Sequence, residues 1–146
     1  MMKPAYLTAL LFVIACNNEE PISKADEQEF TQIAQAWHSK YMQGSKNLEE
    51  ILSGLDQDIA MWENGKVWTY QELEQFGPHL PEKEVIETYS DQKLLGAGLG
   101  YDYMSHLYVS SLSGDTLRET SSCLWRKKGD GWKIIRMNNL IKKESD

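Results

Sequence analysis

Apolar residues recur at helical spacing through the first third of the chain, where Phe30, Ile33, Ala34, Trp37 and Tyr41 fall on one face. Ser23 with Asp26 three residues on marks the start of that helix, and Gly44 stops it. Asn47 with Glu50 repeats the capping pattern ahead of Leu48, Ile51, Leu52 and Leu55, which predict a second, shorter amphipathic helix. The period then changes. Residues 58–63 lead into Asn64-Gly65 and out through Lys66-Val67-Trp68, a tight hairpin whose two turn residues both accept positive φ. Thr69 with Glu72 is a third capping pattern, Tyr70, Leu73 and Phe76 give one helical face, and Gly77-Pro78 ends that helix.

After Pro81 the pattern is that of strands, near 84–96, 101–113, 117–128 and 132–142, separated by Gly-containing turns. The spacing predicts four long antiparallel strands. Gly96, Gly98 and Gly100 at the first junction read as a turn or bulge, since no helix follows to offer its N-terminus to a phosphate. In 101–113 the set Tyr101, Tyr103, Ser105, Leu107 and Val109 is expected to face the core, with Asp102 and His106 opposite, where a polar cavity would find them. Helices followed by a run of strands predict an α+β domain over 25–146, its helices packed against one curved antiparallel sheet.

Ahead of the domain, a short apolar run begins at Ala5 behind Lys3 and closes on Val13-Ile14-Ala15-Cys16. It is shorter than the roughly 20 apolar residues a membrane-spanning helix needs. The four closing residues resemble the lipobox of bacterial lipoprotein signals. That resemblance implies removal of 1–15, lipidation of Cys16 and attachment to the outer membrane of a bacterial cell envelope, periplasmic or surface-exposed. Residues 16–24 are polar, acidic and Pro-containing, and read as a tether.

The whole chain carries 15 Lys and Arg against 22 Asp and Glu, a formal net charge of −7. Such a surface repels phosphates, so no nucleic acid is expected as partner, and membrane attachment falls to the lipid. With Cys16 lipidated, Cys123 is the remaining thiol and an intramolecular disulfide is excluded. His38, His79 and His106 show no ligand-like spacing with one another or with Cys123, so no metal and no cofactor are expected. Nucleophile-elbow, Cys-x-x-Cys and Walker patterns are absent.

Trp37 on the first helix, Gly44 before the second, Leu55-Asp56-Gln57-Asp58-Ile59 entering a strand and Leu124-Trp125-Arg126-Lys127-Lys128-Gly129-Asp130-Gly131-Trp132-Lys133-Ile134-Ile135 near the end resemble the nuclear transport factor 2-like superfamily, its SnoaL-like branch above all. The resemblance implies a cone-shaped fold, a bent sheet around a long helix, with a cavity at the open end. In that family the cavity serves isomerases, dehydratases, ligand binders and oligomerisation domains, so fold alone leaves activity open. In the family's ketosteroid isomerases a first-helix Tyr donates to an oxyanion and an acid on the first hairpin removes a proton. The resemblance places Trp37 and Glu63 at those two positions, with Glu63 also readable as a solvent-facing neighbour of the turn. Trp37, Tyr41, Trp62, Tyr89, Tyr103 and His106 are expected to line the cavity, or to fill a plain core, and Arg118 to hold a carboxylate-bearing ligand or to face solvent. The expectation is a lipid-anchored, non-catalytic domain that binds a small, partly apolar molecule or self-associates as a homodimer. The alternative is an isomerase or dehydratase-like enzyme with Glu63 as general base.

Overall fold

A computed structural model describes residues 21–129 and 131–144. The signal and Cys16 therefore lie outside the described residues, as does most of the tether, whose last residue, Lys24, already belongs to the first helix. Among the described residues three α-helices, α1 (Lys24–Met42), α2 (Leu48–Ser53) and α3 (Tyr70–Phe76), accompany six strands: β1 (Leu55–Glu63), β2 (Lys66–Thr69), β3 (Lys83–Gly96), β4 (Leu99–Ser110), β5 (Thr116–Lys128) and β6 (Gly131–Lys143). Among the described residues no helix is long and apolar enough to cross a membrane.

Local chemistry sets the helix ends. Ser23 and Asp26 form a reciprocal capping box at α1, and Thr69 and Glu72 form another at α3. The expected cap at Asn47 does not form. Residues Gly44–Asn47 wind as a 3₁₀ turn instead, and the Asn47 side chain donates to Gln43 Oε1 at 3.0 Å.

The strands make one sheet in the order β2-β1-β6-β5-β4-β3. β3 to β6 form the expected antiparallel meander, but β1 runs parallel to β6, so the sheet is mixed and not wholly antiparallel. The reason is topological: β1 and β6 are neighbours joined through the whole intervening chain, and no hairpin constrains their direction. Register shifts at Val85/Glu87, Leu94/Gly96 and Leu124/Trp125 insert bulges that bend the strands around α1.

The inward face of β4 is the reverse of the expected one. Asp102, Met104, His106 and Tyr108 are buried under α1, whereas Tyr101, Tyr103, Leu107 and Val109 are half-buried on the outer face, and Ser105 of the same set is buried there beside Arg118. Counting apolar residues misleads here, because the polar members of the inward set find partners under the helix. Phe30 anchors the closed end of the cone. Its ring packs 6.0 Å from Trp125 and 4.9 Å from Trp132, above Gly100, where any Cβ would lie 2.5 Å from ring carbons.

Candidate functional site

At the open end, α3 roofs a narrow slot floored by the α1 face. Trp37 and Tyr41 of α1 stack with ring centroids 5.4 Å apart. Leu48, Ile51 and Leu52 of α2, Met61 and Glu63 of β1, Trp68 of β2, Leu73 and Phe76 of α3, and Met137 of β6 complete the wall, with Leu55 and Leu80. The void is about 40 Å³, room for little more than a water molecule or two. α3 buries no residue fully; Tyr70 and Leu73 are half-buried against the core, and the Phe76 ring lies 5.3 Å from that of Trp68.

Glu63 is the charged residue of this lining. Alternation in β1 sends Met61 and Glu63 inward and Trp62 outward. Burial pushes the Glu63 carboxyl above its ordinary value, and the negative charge of Glu119 adds to this, while a hydrogen bond from Asn139 opposes it. Glu119 is fully buried and carries its own partners: the Lys83 ammonium, Asn139 Nδ2 at 3.2 Å and the Tyr41 hydroxyl. The Tyr41 phenol is raised well above its usual value, first by burial and then by Glu119 and Glu63. Two buried polar atoms here lack a protein partner, Trp68 Nε1 and Asn139 Oδ1.

Of the expected site residues, the slot brings together Trp37, Tyr41 and Glu63. Trp37 is not a free donor: its Nε1 donates to the Ile51 carbonyl at 3.0 Å, bracing α1 against α2. The phenol at this site belongs to Tyr41, one helical turn further on. Trp62, Tyr89, Tyr103 and Arg118 lie elsewhere, on the outer face of the sheet. Trp62 is 41% and Tyr89 59% exposed, the latter edge-on to Tyr103. Arg118 bonds Glu144 and reaches Ser105 Oγ at 3.4 Å, so it does not face the slot. In each case period-two alternation decides the side, and aromatic or cationic character does not. His106 is inward but bounds a separate groove between α1 and β3, with Nδ1 3.0 Å from Thr88 Oγ1.

Beneath α1 the fold also gathers His38, Asp102 and Cys123, with ligand-capable atoms all within 4.8 Å, a proximity their sequence spacing hid. His38 Nε2 lies 2.9 Å from Asp102 Oδ1, and the Trp125 indole donates to Oδ2. Burial first, and the Asp102 charge second, push the Cys123 thiol well above its ordinary value, and its Sγ lies 3.9 Å from His38 Nε2. Glu119 and Asn139 were missed altogether. The signal was present: Glu119 shares a strand face with Cys123 and Trp125, both fully buried.

No family model and no curated protein matches this chain. Solved structures do match its shape. A protein described as ketosteroid isomerase-like, from Erwinia carotovora atroseptica, superposes with a TM-score of 0.61 at 15% identity over 85% of this chain and 100% of its own. A cystatin-like-fold protein of unknown function from Nostoc punctiforme gives 0.65 at 12% identity over 83% and 94%. One described as nuclear transport factor 2-like, of unknown function, from Pseudomonas putida gives 0.61 at 13% over 82% and 88%. At such identities the likeness concerns fold alone: the α+β fold of this chain, a curved mixed sheet packed on a long helix, is similar to those of proteins described as nuclear transport factor 2-like or cystatin-like.

Proposed function

We propose that this is a small-molecule-binding domain of the bacterial cell envelope, held to the outer membrane by lipid on Cys16, with the slot beneath α3 as its binding site. The observation that carries the binding reading is an apolar hollow beneath α3 whose lining holds one carboxyl group, Glu63, and one buried donor without a partner, Trp68 Nε1. The lipid anchor rests on the sequence Val13-Ile14-Ala15-Cys16 alone.

Binding is favoured over catalysis by the state of the donors. Glu63 lines the slot with its carboxyl raised by burial, and this supports an isomerase-like reaction with Glu63 as base as the second reading. The two first-helix groups are committed, the Trp37 N–H to the Ile51 carbonyl and the Tyr41 hydroxyl to Glu119, which leaves Trp68 Nε1 as the donor an oxyanion would have to use. Self-association is a companion proposal, supported by Ile86, Tyr89 and Leu140 exposed outside the cone.

The binding test is a saturation-transfer screen of small neutral fragments against the wild type and Leu73→Trp, which fills the slot. Binding seen in the wild type and lost in the variant supports the proposal. Equal binding by both proteins places the ligand elsewhere and refutes it.

A further inference from the structure

Asp102 and Cys123 sit directly opposite each other on β4 and β5, both on the inward side of the sheet, and His38 of α1 meets them both. Side chains paired in this way across neighbouring strands are held about 5 Å apart by the sheet itself. His38 Nε2 lies 2.9 Å from Asp102 Oδ1 and 3.9 Å from Cys123 Sγ, and the three ligand-capable atoms all fall within 4.8 Å of one another. All three side chains are fully buried, and none of them lines the slot. They come from three separate elements, so sequence spacing alone suggests no metal.

Imidazole, carboxylate and thiolate are the ligand types of zinc. With bonds of about 2.0 Å to nitrogen and oxygen and about 2.3 Å to sulfur, a tetrahedral ion sets nitrogen about 3.3 Å from oxygen and about 3.5 Å from sulfur. The first observed separation is shorter than this and the second longer, so one movement of the imidazole by about 0.4 Å, away from Asp102 and toward Cys123, corrects both. Charge points the same way. Among the described residues Asp102 pairs with no lysine or arginine; its partners are the Trp125 indole, His38 and the Cys123 thiol. A divalent cation with one carboxylate, one thiolate and one neutral imidazole sums to zero, the balance a dry interior favours. The Trp125 indole holds Oδ2 and leaves Oδ1 to a metal, the outer support that ligating carboxylates have. His38 Nδ1 is buried without a protein partner, and so is Nε2 of His106, whose ring lies 6.2 Å away. A water between them can give a metal-bound imidazole its outer hydrogen bond.

We propose that His38 Nε2, Asp102 Oδ1 and Cys123 Sγ bind one zinc-class divalent cation, which ties α1 to β4 and β5. Binding exchanges the Cys123 S–H for a sulfur–metal bond and releases that proton to solvent, with no change of oxidation state. Burial holds the thiol well above its ordinary value in the metal-free protein, and coordination to a divalent ion deprotonates it outright. The imidazole proton passes to Nδ1, and a water takes the fourth position, as in zinc sites with three protein ligands. Because the ligands lie beneath α1, the ion enters as that helix docks on the sheet. Metal uptake thus accompanies folding and stabilises the closed form.

The test refolds the whole chain from urea in the presence of Co²⁺, a coloured stand-in for zinc, with Cys16→Ser so that Cys123 is its one thiol. Uptake of one Co²⁺ per chain is expected, with a thiolate-to-cobalt charge-transfer band in the near ultraviolet and the strong visible bands of four-coordinate cobalt. Cys123→Ala is expected to lose the charge-transfer band, and to lose the rise in denaturation midpoint that Zn²⁺ gives the parent protein. Near-ultraviolet circular dichroism reports that this variant is folded. X-ray absorption at the zinc edge of the parent needs no variant: one sulfur at about 2.3 Å beside nitrogen and oxygen at about 2.0 Å is expected. A zinc shell without sulfur, a Zn²⁺ effect on the midpoint that survives Cys123→Ala, or a refolded protein that takes up neither metal overturns the proposal.

Discussion

His38 Nε2 lies 2.9 Å from Asp102 Oδ1, with both side chains wholly buried beneath α1, and the Trp125 indole donates to the same carboxyl group. This joins the long helix to two sheet strands by polar contacts inside an otherwise apolar wedge. Asp102→Ala removes the acceptor for both donors at once. A loss of about 3–5 kcal/mol in unfolding free energy is expected, as for removal of one partner from a buried pair. Urea denaturation measures it, and a cost below about 1 kcal/mol would show that the cluster does not join helix to sheet.

Gly100 passes directly under Phe30. A methyl group at residue 100 would lie 2.5 Å from two carbons of a ring held between Trp125 and Trp132. Gly100→Ala is expected to destabilise by about 1–3 kcal/mol through displacement of that ring. Thermal unfolding together with the ring-current shifts of Phe30 checks both halves of the statement.

Acid stability depends on His106. Burial first, and the neighbouring His38 second, lower its pKa from 6.5 to about 4. The unfolded chain therefore binds this proton where the folded one does not, and stability is lost as pH falls from 6.5 toward 4. Glu63, raised in the fold, contributes in the opposite sense across the acid range, so the comparison must be made between proteins and not along one curve. His106→Gln is expected to flatten the decline between those two values. Denaturation midpoints at a series of pH values decide, and parallel curves for the two proteins would refute the assignment.

The roof over the slot is held at its start by the Thr69–Glu72 capping box, in which Glu72 Oε2 accepts from the Thr69 backbone at 2.8 Å. Thr69→Ala is expected to cost α3 about 1 kcal/mol locally. Because α3 buries no residue, hydrogen exchange should quicken at its amides and stay unchanged across β3 to β6. Uniform acceleration through the sheet would mean that the helix is part of the core and not a movable cover.

The two capping boxes, the Asn64-Gly65 hairpin and the four long strands were legible because each is written in adjacent residues. Asn64 and Gly65 do take positive φ, 47° and 88°. What sequence could not decide was which face of a strand turns inward where both faces carry aromatics. In β4, Tyr101 and Tyr103 look more apolar than Asp102 and His106, yet the latter pair is buried, because Trp125, His38 and Thr88 supply partners from other elements. Glu119 is buried on the same terms, with partners Lys83, Tyr41 and Asn139 from three separate elements, although alternation with Cys123 and Trp125 already turned it inward. Trp37 and Glu63, which the family resemblance singled out, both line the slot, although the neighbouring Asn64-Gly65 turn taken alone favoured a solvent-facing Glu63. The direction of β1 against β6 was out of reach, since nothing adjacent in sequence encodes it.

The central claim is that an apolar hollow exists under α3 and admits a guest. Crystals pressurised with xenon test it without any assumption about ligand chemistry. The account predicts one ordered xenon atom between Trp37, Met61 and Leu73, with α3 displaced outward from Met137. A slot that stays empty under pressure, with Leu73 and Phe76 unmoved and xenon only on the outer face of the sheet, would contradict it.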